Sequence, residues 1–177
     1  MSAYVIKKYK FDLDEFKNRI NQIMTHEKQW LPATPRTPNA VWADISDVID
    51  ESFINKLSQS IGTDLYDIFW ITDYKGCNEL EIHRDNPGNE YPIWSRFTCI
   101  MMLEGTFEVP IWDDDQTTLL DTAVINPGEI VVLNFCEYFH SGKVVDGNKV
   151  SLHFYPKIKN IDGPHKNQVK LNVEEYV

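Results

Sequence analysis

The sequence predicts a mainly β protein with two N-terminal helices, an α+β chain whose strands close into a sandwich or barrel. Two observations predict it. From about residue 66 to 156, runs of aromatic and β-branched residues follow one another, with turn residues between them every roughly eight to thirteen positions. Before residue 62 the apolar residues recur at helical spacing instead.

In chain order, Ala3 to Phe11 reads as a first strand. Asp12 or Asp14 is placed to cap a helix running to about Lys28, because Leu13, Phe16, Ile20, Ile23 and Met24 fall on one helical face. Pro32, Pro35 and Pro38 are expected to break regular structure between Leu31 and Asn39. A second helix is predicted over Glu51 to Ile61, with Phe53, Ile54, Leu57 and Ile61 inward and Gly62 ending it. Eight strands are then expected near 66–73, 79–85, 93–103, 106–112, 117–125, 129–135, 138–145 and 149–155. Their separators include Asn86-Pro87-Gly88, Glu104-Gly105, Asp113-Asp114-Asp115, Pro127-Gly128 and Asp146-Gly147-Asn148. The tail from Lys157 is polar, although Val169, Leu171 and Val173 alternate as an edge strand would. With no internal repeat, 177 residues suit one domain: a helical part over 1–62, a β core over 66–156 and the tail.

Composition narrows the classes of function. Hydrophobic residues make up 42% and charged residues 25%, which is globular rather than disordered. The net charge of -10 repels phosphate backbones, and no basic run offsets it, so nucleic acid is not an expected partner. Cationic or neutral substrates suit the field better. Cys77, Cys99 and Cys136 form no C-x-x-C pair and are odd in number, which argues against a disulfide framework. The first sixteen residues lack a signal-peptide core, and no apolar stretch reaches the ~18–20 residues of a membrane span. A cytoplasmic protein is expected.

The chemistry-bearing motif is Glu81-Ile82-His83-Arg84-Asp85, at the end of the second predicted strand of the core. Residues two apart on a strand point to the same face, so His83 and Asp85 are both able to reach inward to one metal ion. A further histidine would complete a 2-His-1-carboxylate set, which leaves open positions on Fe(II). His140 is the candidate, after the buried-looking run Glu129 to Phe135. With five histidines and fifteen aspartates in the chain, one H-x-D arises readily by chance, and the bland reading is a strand histidine before a loop-starting aspartate. Nine residues after His140 comes Lys149-Val150-Ser151, opening a strand on which Lys149, Ser151 and His153 share a face. A buried ammonium beside a hydroxyl suits a bound carboxylate, whereas a solvated lysine after a turn is the plainer alternative. Arg96 either faces solvent or reaches the same site, and His153 reads as a hydrogen-bonded core histidine.

In order and spacing, His83-Arg84-Asp85, Pro127-Gly128, His140 and Lys149-Val150-Ser151 resemble the 2-oxoglutarate and Fe(II)-dependent oxygenase superfamily. The resemblance spans residues 66–156 and implies a double-stranded β-helix, a cupin-like barrel. It implies His83, Asp85 and His140 as ligands of Fe(II), and Lys149 and Ser151 as the clamp for the distal carboxylate of 2-oxoglutarate, with Arg96 as the other cation able to pair with it. Most members carry arginine where this chain has Lys149, a point charge instead of a bidentate fork. The implied reaction is hydroxylation of a C–H bond in a small-molecule or peptide substrate by O2, with release of succinate and CO2. Asp85 favours such an oxidation, since related halogenases lack the carboxylate. Two other readings remain: a cupin-type metal enzyme not using 2-oxoglutarate, whose usual H-x-H pair is missing here, and a jelly-roll binding module without catalysis.

Overall fold

The computed structural model describes residues 7–34, 37–85, 97–135 and 138–157. Among these, nine strands and two helices follow in the order β1 Lys7–Lys10, α1 Lys17–Thr25, β2 Leu31–Thr34, β3 Thr37–Asp44, α2 Glu51–Ile61, β4 Leu65–Asp73, β5 Glu79–His83, β6 Thr98–Trp112, β7 Leu119–Ile125, β8 Glu129–Leu133 and β9 Phe139–Pro156. The described part of the first predicted strand is β1. The alternating tail positions Val169, Leu171 and Val173 lie outside the described residues.

The helices form where apolar spacing predicts them, with different starts. Helix α1 begins at Lys17 without a side-chain cap, because the Asp12 carboxylate accepts the backbone N–H groups of Asp14 and Glu15 and holds a turn ahead of the helix. It also stops at Thr25, short of Lys28. Helix α2 matches its predicted bounds. Asp50 Oδ1 accepts the Phe53 N–H at 2.9 Å, and Gly62 closes the helix in the left-handed conformation.

Two expectations are corrected. The proline-rich stretch after Leu31 is not irregular: β2 and β3 pair there as an antiparallel hairpin at the edge of the sheet. An edge strand tolerates proline because its outer N–H groups need no partner. The strands expected at 93–103 and 106–112 are one continuous β6 as far as they are described, and those at 138–145 and 149–155 are one β9. The turns expected at Glu104-Gly105 and Asp146-Gly147-Asn148 are bends within strands, marked by register shifts. Gly105 has φ +74, and a Cβ there would lie 2.3 Å from the Asn148 carbonyl oxygen, so the crossing of the two long strands needs glycine.

These bends build the barrel. The outer parts of β6 and β9 belong to a broad sheet in the order β1-β8-β6-β9-β4-β3-β2, while their other halves pair with β7 and β5. Alternation then divides the side chains. Phe69 and Ile71 of β4, Cys99 and Met101 of β6, and Leu152 and Phe154 of β9 face the helices and pack with Ile23, Phe53 and Leu57. Each such fully buried side chain contributes about 1.5–3 kcal/mol. The opposite face, with Tyr74, Ile100, Met102, Phe107, Ile111 and Phe135, lines a second core. On this inner face β9 also places Lys149, Ser151 and His153, whose neighbours on β4 are Trp70 and Thr72. No helix among the described residues is long and apolar enough to cross a membrane.

Candidate metal centre and anion clamp

Strands β5 and β9 bring the two histidines together. His83, the last residue of β5, is the direct cross-strand partner of His140 near the start of β9, and their ring centroids are 4.4 Å apart. Asp85 lies just past the strand, not on it as the two-residue rule supposes. Its position is set by a backbone hydrogen bond from its N–H to the Phe135 carbonyl at 3.0 Å. From there Asp85 Oδ1 lies 3.4 Å from His83 Nε2 and 3.7 Å from His140 Nε2. One ligand atom from each residue falls within 4.8 Å of the others. Adjacent donors on an octahedral ion with bonds of about 2.1 Å stand about 3 Å apart, so the three need move only slightly to share one.

The rings are also oriented for it. His83 Nδ1–H donates to the Glu81 carbonyl at 2.7 Å, and His140 Nδ1–H donates to the Tyr138 carbonyl at 3.3 Å. Carbonyls only accept, so each bond keeps a proton on Nδ1 and turns Nε2, the metal-binding nitrogen once its ring is neutral, toward Asp85. Phe135 supports His140 edge-on at 4.4 Å. Arg84, between the ligands in sequence, turns to pair with Asp114 and stacks over Phe139 at 4.0 Å, which braces the end of β5.

Without a metal, these groups differ in proton affinity. Burial pushes the His140 imidazole down to about 4, with Asp85 opposing and the neighbouring His83 and Lys149 adding to the fall. Burial would lower His83 too, yet hydrogen bonds to Asp85 and to the Glu81 carbonyl outweigh it and leave His83 above its usual 6.5. Asp85 is likewise opposed by burial but held below the usual carboxylate value by His83 and His140.

Deeper in the same interior, Lys149 is 2% exposed. The solvated-lysine alternative is therefore excluded. Its ammonium donates to Thr72 Oγ1 at 3.3 Å and lies 3.9 Å from the Tyr74 ring centroid and 4.3 Å from that of Phe107. Burial pulls it down to about 7, against the opposing charge of Asp85. Ser151 is fully buried, with its hydroxyl 2.7 Å from that of Thr72. His153 completes the group as a hydrogen-bonded inward histidine: its Nε2 is 3.0 Å from Ser151 Oγ and 3.2 Å from Thr72 Oγ1. The structure thus gathers His83, Asp85 and His140 at one point, and Lys149, Ser151 and His153 at another. Arg96 lies outside the described residues. Thr72, Tyr74 and Phe107 escape sequence reading because each resembles an ordinary strand residue. The inward alternation Trp70, Thr72, Tyr74 was the one available signal.

No protein-family model matches the chain, and no curated protein sequence is significantly similar to it. Solved structures are. OsALKBH1 shares 12% identity over 88% of this chain and 97% of its own, with a TM-score of 0.63. A Pseudomonas putida prolyl-4-hydroxylase shares 13% over 88% and 93%, at 0.58. An oxidoreductase of the 2OG-Fe(II) oxygenase family from Burkholderia pseudomallei shares 15% over 82% and 79%, at 0.55. The chain therefore has the double-stranded β-helix fold of the 2-oxoglutarate/Fe(II) oxygenases. At these identities the likeness carries the fold, and the chemistry has to be argued from the side chains.

Proposed function

We propose that this protein is an Fe(II)- and 2-oxoglutarate-dependent oxygenase that hydroxylates a C–H bond of a small-molecule or peptide substrate. The observation that carries the reading is the pairing of two sites in one barrel interior: a 2-His-1-carboxylate set, and a buried ammonium that forms no ion pair among the described residues, with only the more distant charge of Asp85 favouring it. His83, Asp85 and His140 would hold the ion through two neutral imidazoles and one carboxylate, the donor set suited to non-haem Fe(II) with open positions. Lys149 and Ser151 would receive the distal carboxylate of 2-oxoglutarate. Arg96 is a second candidate for that contact.

When bound, the iron and co-substrate supply the oxidising power, with 2-oxoglutarate leaving as succinate and CO2. The protein's own part is orientation and exclusion. The carbonyls of Glu81 and Tyr138 keep both ligand rings in the metal-binding tautomer. Tyr74 and Phe107 shield the Lys149 charge from water, which strengthens its attraction for an anion. Asp85 fills the carboxylate position and so favours plain oxidation.

The test is anaerobic titration of the purified protein with Fe(II) and then 2-oxoglutarate, followed by a succinate-formation assay across candidate substrates. Saturable 2-oxoglutarate binding that requires His83 and Lys149 supports the reading. Metal binding without any affinity for 2-oxoglutarate would leave a cupin-type metal enzyme, and no metal binding would leave a binding module.

A further inference from the structure

Two side chains beside the Lys149–Ser151 clamp have no role in the reading above. Thr72 stands directly opposite Ser151 across β4 and β9, and His153 follows two residues after Ser151 on the same face. The three polar atoms form a closed triangle, with sides of 2.7 Å between the hydroxyl oxygens, 3.0 Å from His153 Nε2 to Ser151 Oγ and 3.2 Å from Nε2 to Thr72 Oγ1. Lys149 Nζ attaches at the Thr72 corner, 3.3 Å away. Trp70 on β4 and Ile100 on β6 are the cross-strand neighbours of His153, so its ring sits between large apolar residues.

Counting hydrogens shows what the triangle does. Burial keeps the His153 imidazole neutral, so Nε2 either carries a proton or is bare. If it is bare, the two hydroxyl protons are the only ones available for three contacts. Ser151 and Thr72 then spend them on the nitrogen and on each other. Neither proton is left for an anion without breaking a buried bond. If Nε2 carries the proton, the imidazole donates into the hydroxyl pair and one hydroxyl donates to the other. The remaining hydroxyl proton is free to leave the triangle, beside the Lys149 ammonium.

We propose that His153 is a positioning residue for the anionic co-substrate. As the Nε2–H tautomer it donates to the Thr72–Ser151 pair and thereby turns a hydroxyl proton toward the carboxylate that Lys149 attracts. The inference rests on the 2-oxoglutarate reading and adds to it the group that sets the direction of the clamp.

The experiment is calorimetric titration of 2-oxoglutarate into the Mn(II)-loaded, oxygen-free protein, with Mn(II) affinity measured alongside. His153→Leu removes the donor, whereas His153→Gln keeps an N–H at comparable reach. The expected result is a roughly 5–20-fold loss of 2-oxoglutarate affinity for His153→Leu, recovery to within about threefold for His153→Gln, and unchanged Mn(II) affinity. Because His153 acts through the hydroxyls, His153→Leu should add less than about twofold in a Ser151→Ala background. Wild-type affinity in His153→Leu, or independent multiplication with Ser151→Ala, overturns the proposal. Imidazole ¹⁵N shifts of the wild-type protein test it without any variant: a protonated Nε2 supports it, and a bare Nε2 in the ligand-bound state sinks it. If the wild-type protein binds no 2-oxoglutarate, the oxygenase reading falls and takes this inference with it. If Lys149→Ala abolishes binding while His153→Leu does not weaken it, only this inference falls.

Discussion

The ammonium of Lys149 lies 3.9 Å from the centroid of the Tyr74 ring, inside the barrel, and no carboxylate among the described residues pairs with it. Two aromatic faces and one hydroxyl are poor payment for a desolvated charge. The site therefore costs the free protein stability, as a position kept for a ligand would. Lys149→Met, which keeps the length and removes the charge, should stabilise the free protein by about 1–2 kcal/mol at pH 7. The same variant should lose 2-oxoglutarate binding by at least about tenfold. Denaturant unfolding and calorimetry on one preparation check both halves. A less stable Lys149→Met protein would mean that the charge is compensated in a way the structure does not reveal.

Burial depresses Lys149 to about 7, so near and above neutral pH part of the population has lost its proton. An arriving carboxylate favours the charged form and should draw that proton back. Co-substrate binding is then expected to take up a fraction of a proton at pH 8 and almost none at pH 6. Binding heats measured in buffers of different ionisation enthalpy report this directly. Equal heats at pH 8 would show that Lys149 is already fully charged, or that it does not meet the ligand.

Metal binding should carry its own proton signature, from His83 rather than His140. His140 is already neutral above about 4, whereas His83 is held above 6.5 by Asp85 and the Glu81 carbonyl. A metal ion must displace the His83 proton. Metal affinity is expected to rise with pH from 6.5 upward, with roughly half a proton or more released per ion at pH 6.5 and progressively less as pH climbs through the raised His83 value. His83→Ala and Asp85→Ala should both abolish the rise by abolishing binding. A hundredfold excess of metal over its Kd should stabilise the wild-type protein by about 2.7 kcal/mol and these variants not at all.

Much of this site is legible in the sequence, and the limit is a matter of pairing. His83, His140 and Lys149 stand out because histidines and charges in apolar strands are costly and conspicuous, and Asp85 and Ser151 are found by their two-residue spacing from His83 and Lys149. The β4 partner of the clamp does not. Thr72 sits in Phe69-Trp70-Ile71-Thr72-Asp73 as any strand threonine would, and only the register of β4 against β9 sets it opposite Ser151. Register is a tertiary property that period-two patterning leaves open. The long strands fail for a related reason. Gly105 and Gly147 look like turn residues, and both do have positive φ, but here they lie where β6 and β9 pass from the broad run of strands to their pairings with β7 and β5. Pro32 misleads in the opposite way, since an edge strand accepts what a central one refuses.

Acid should destabilise the metal-free protein through the buried imidazoles. His140 is depressed to about 4 and His153 to about 3, both by burial first. A group with a lowered folded value binds its proton more readily when unfolded, so its contribution is lost as pH falls from 6.5 toward that value. For His140 the gap between 6.5 and about 4 is worth roughly 3 kcal/mol. His153 is partly exposed and contributes less than its lowered value implies. His83 runs the other way: its pairing with Asp85 is fully present below 6.5 and fades as pH rises through its raised value. The expected outcome is a denaturation midpoint that drops between pH 6.5 and 4, with a shallower fall in His140→Gln. Identical slopes for the two proteins would contradict it.

The clamp should also be sensitive to a residue that never touches it. Gly142, on β9 between His140 and Lys149, faces the tip of Phe107: a Cβ there would lie 2.2 Å from Phe107 Cζ and 3.1 Å from both Cε atoms. A ring tip gives way easily only when there is space behind it. Phe107 is 3% exposed, sits edge-on to Tyr74 at 5.2 Å and carries the Lys149 ammonium 4.3 Å from its centre, so any retreat moves the walls of the anion site. Gly142→Ala should cost about 1–3 kcal/mol in stability through overpacking. It should weaken 2-oxoglutarate more than it weakens the metal, since the strain falls on Phe107 and not on the His83–His140 pair. Adding Phe107→Leu restores room for the methyl group and should recover most of the lost stability. Thermal unfolding of the single and double variants decides it. A Gly142→Ala protein as stable as wild type would show that Phe107 has space to move, and that the clamp is looser than its contacts imply.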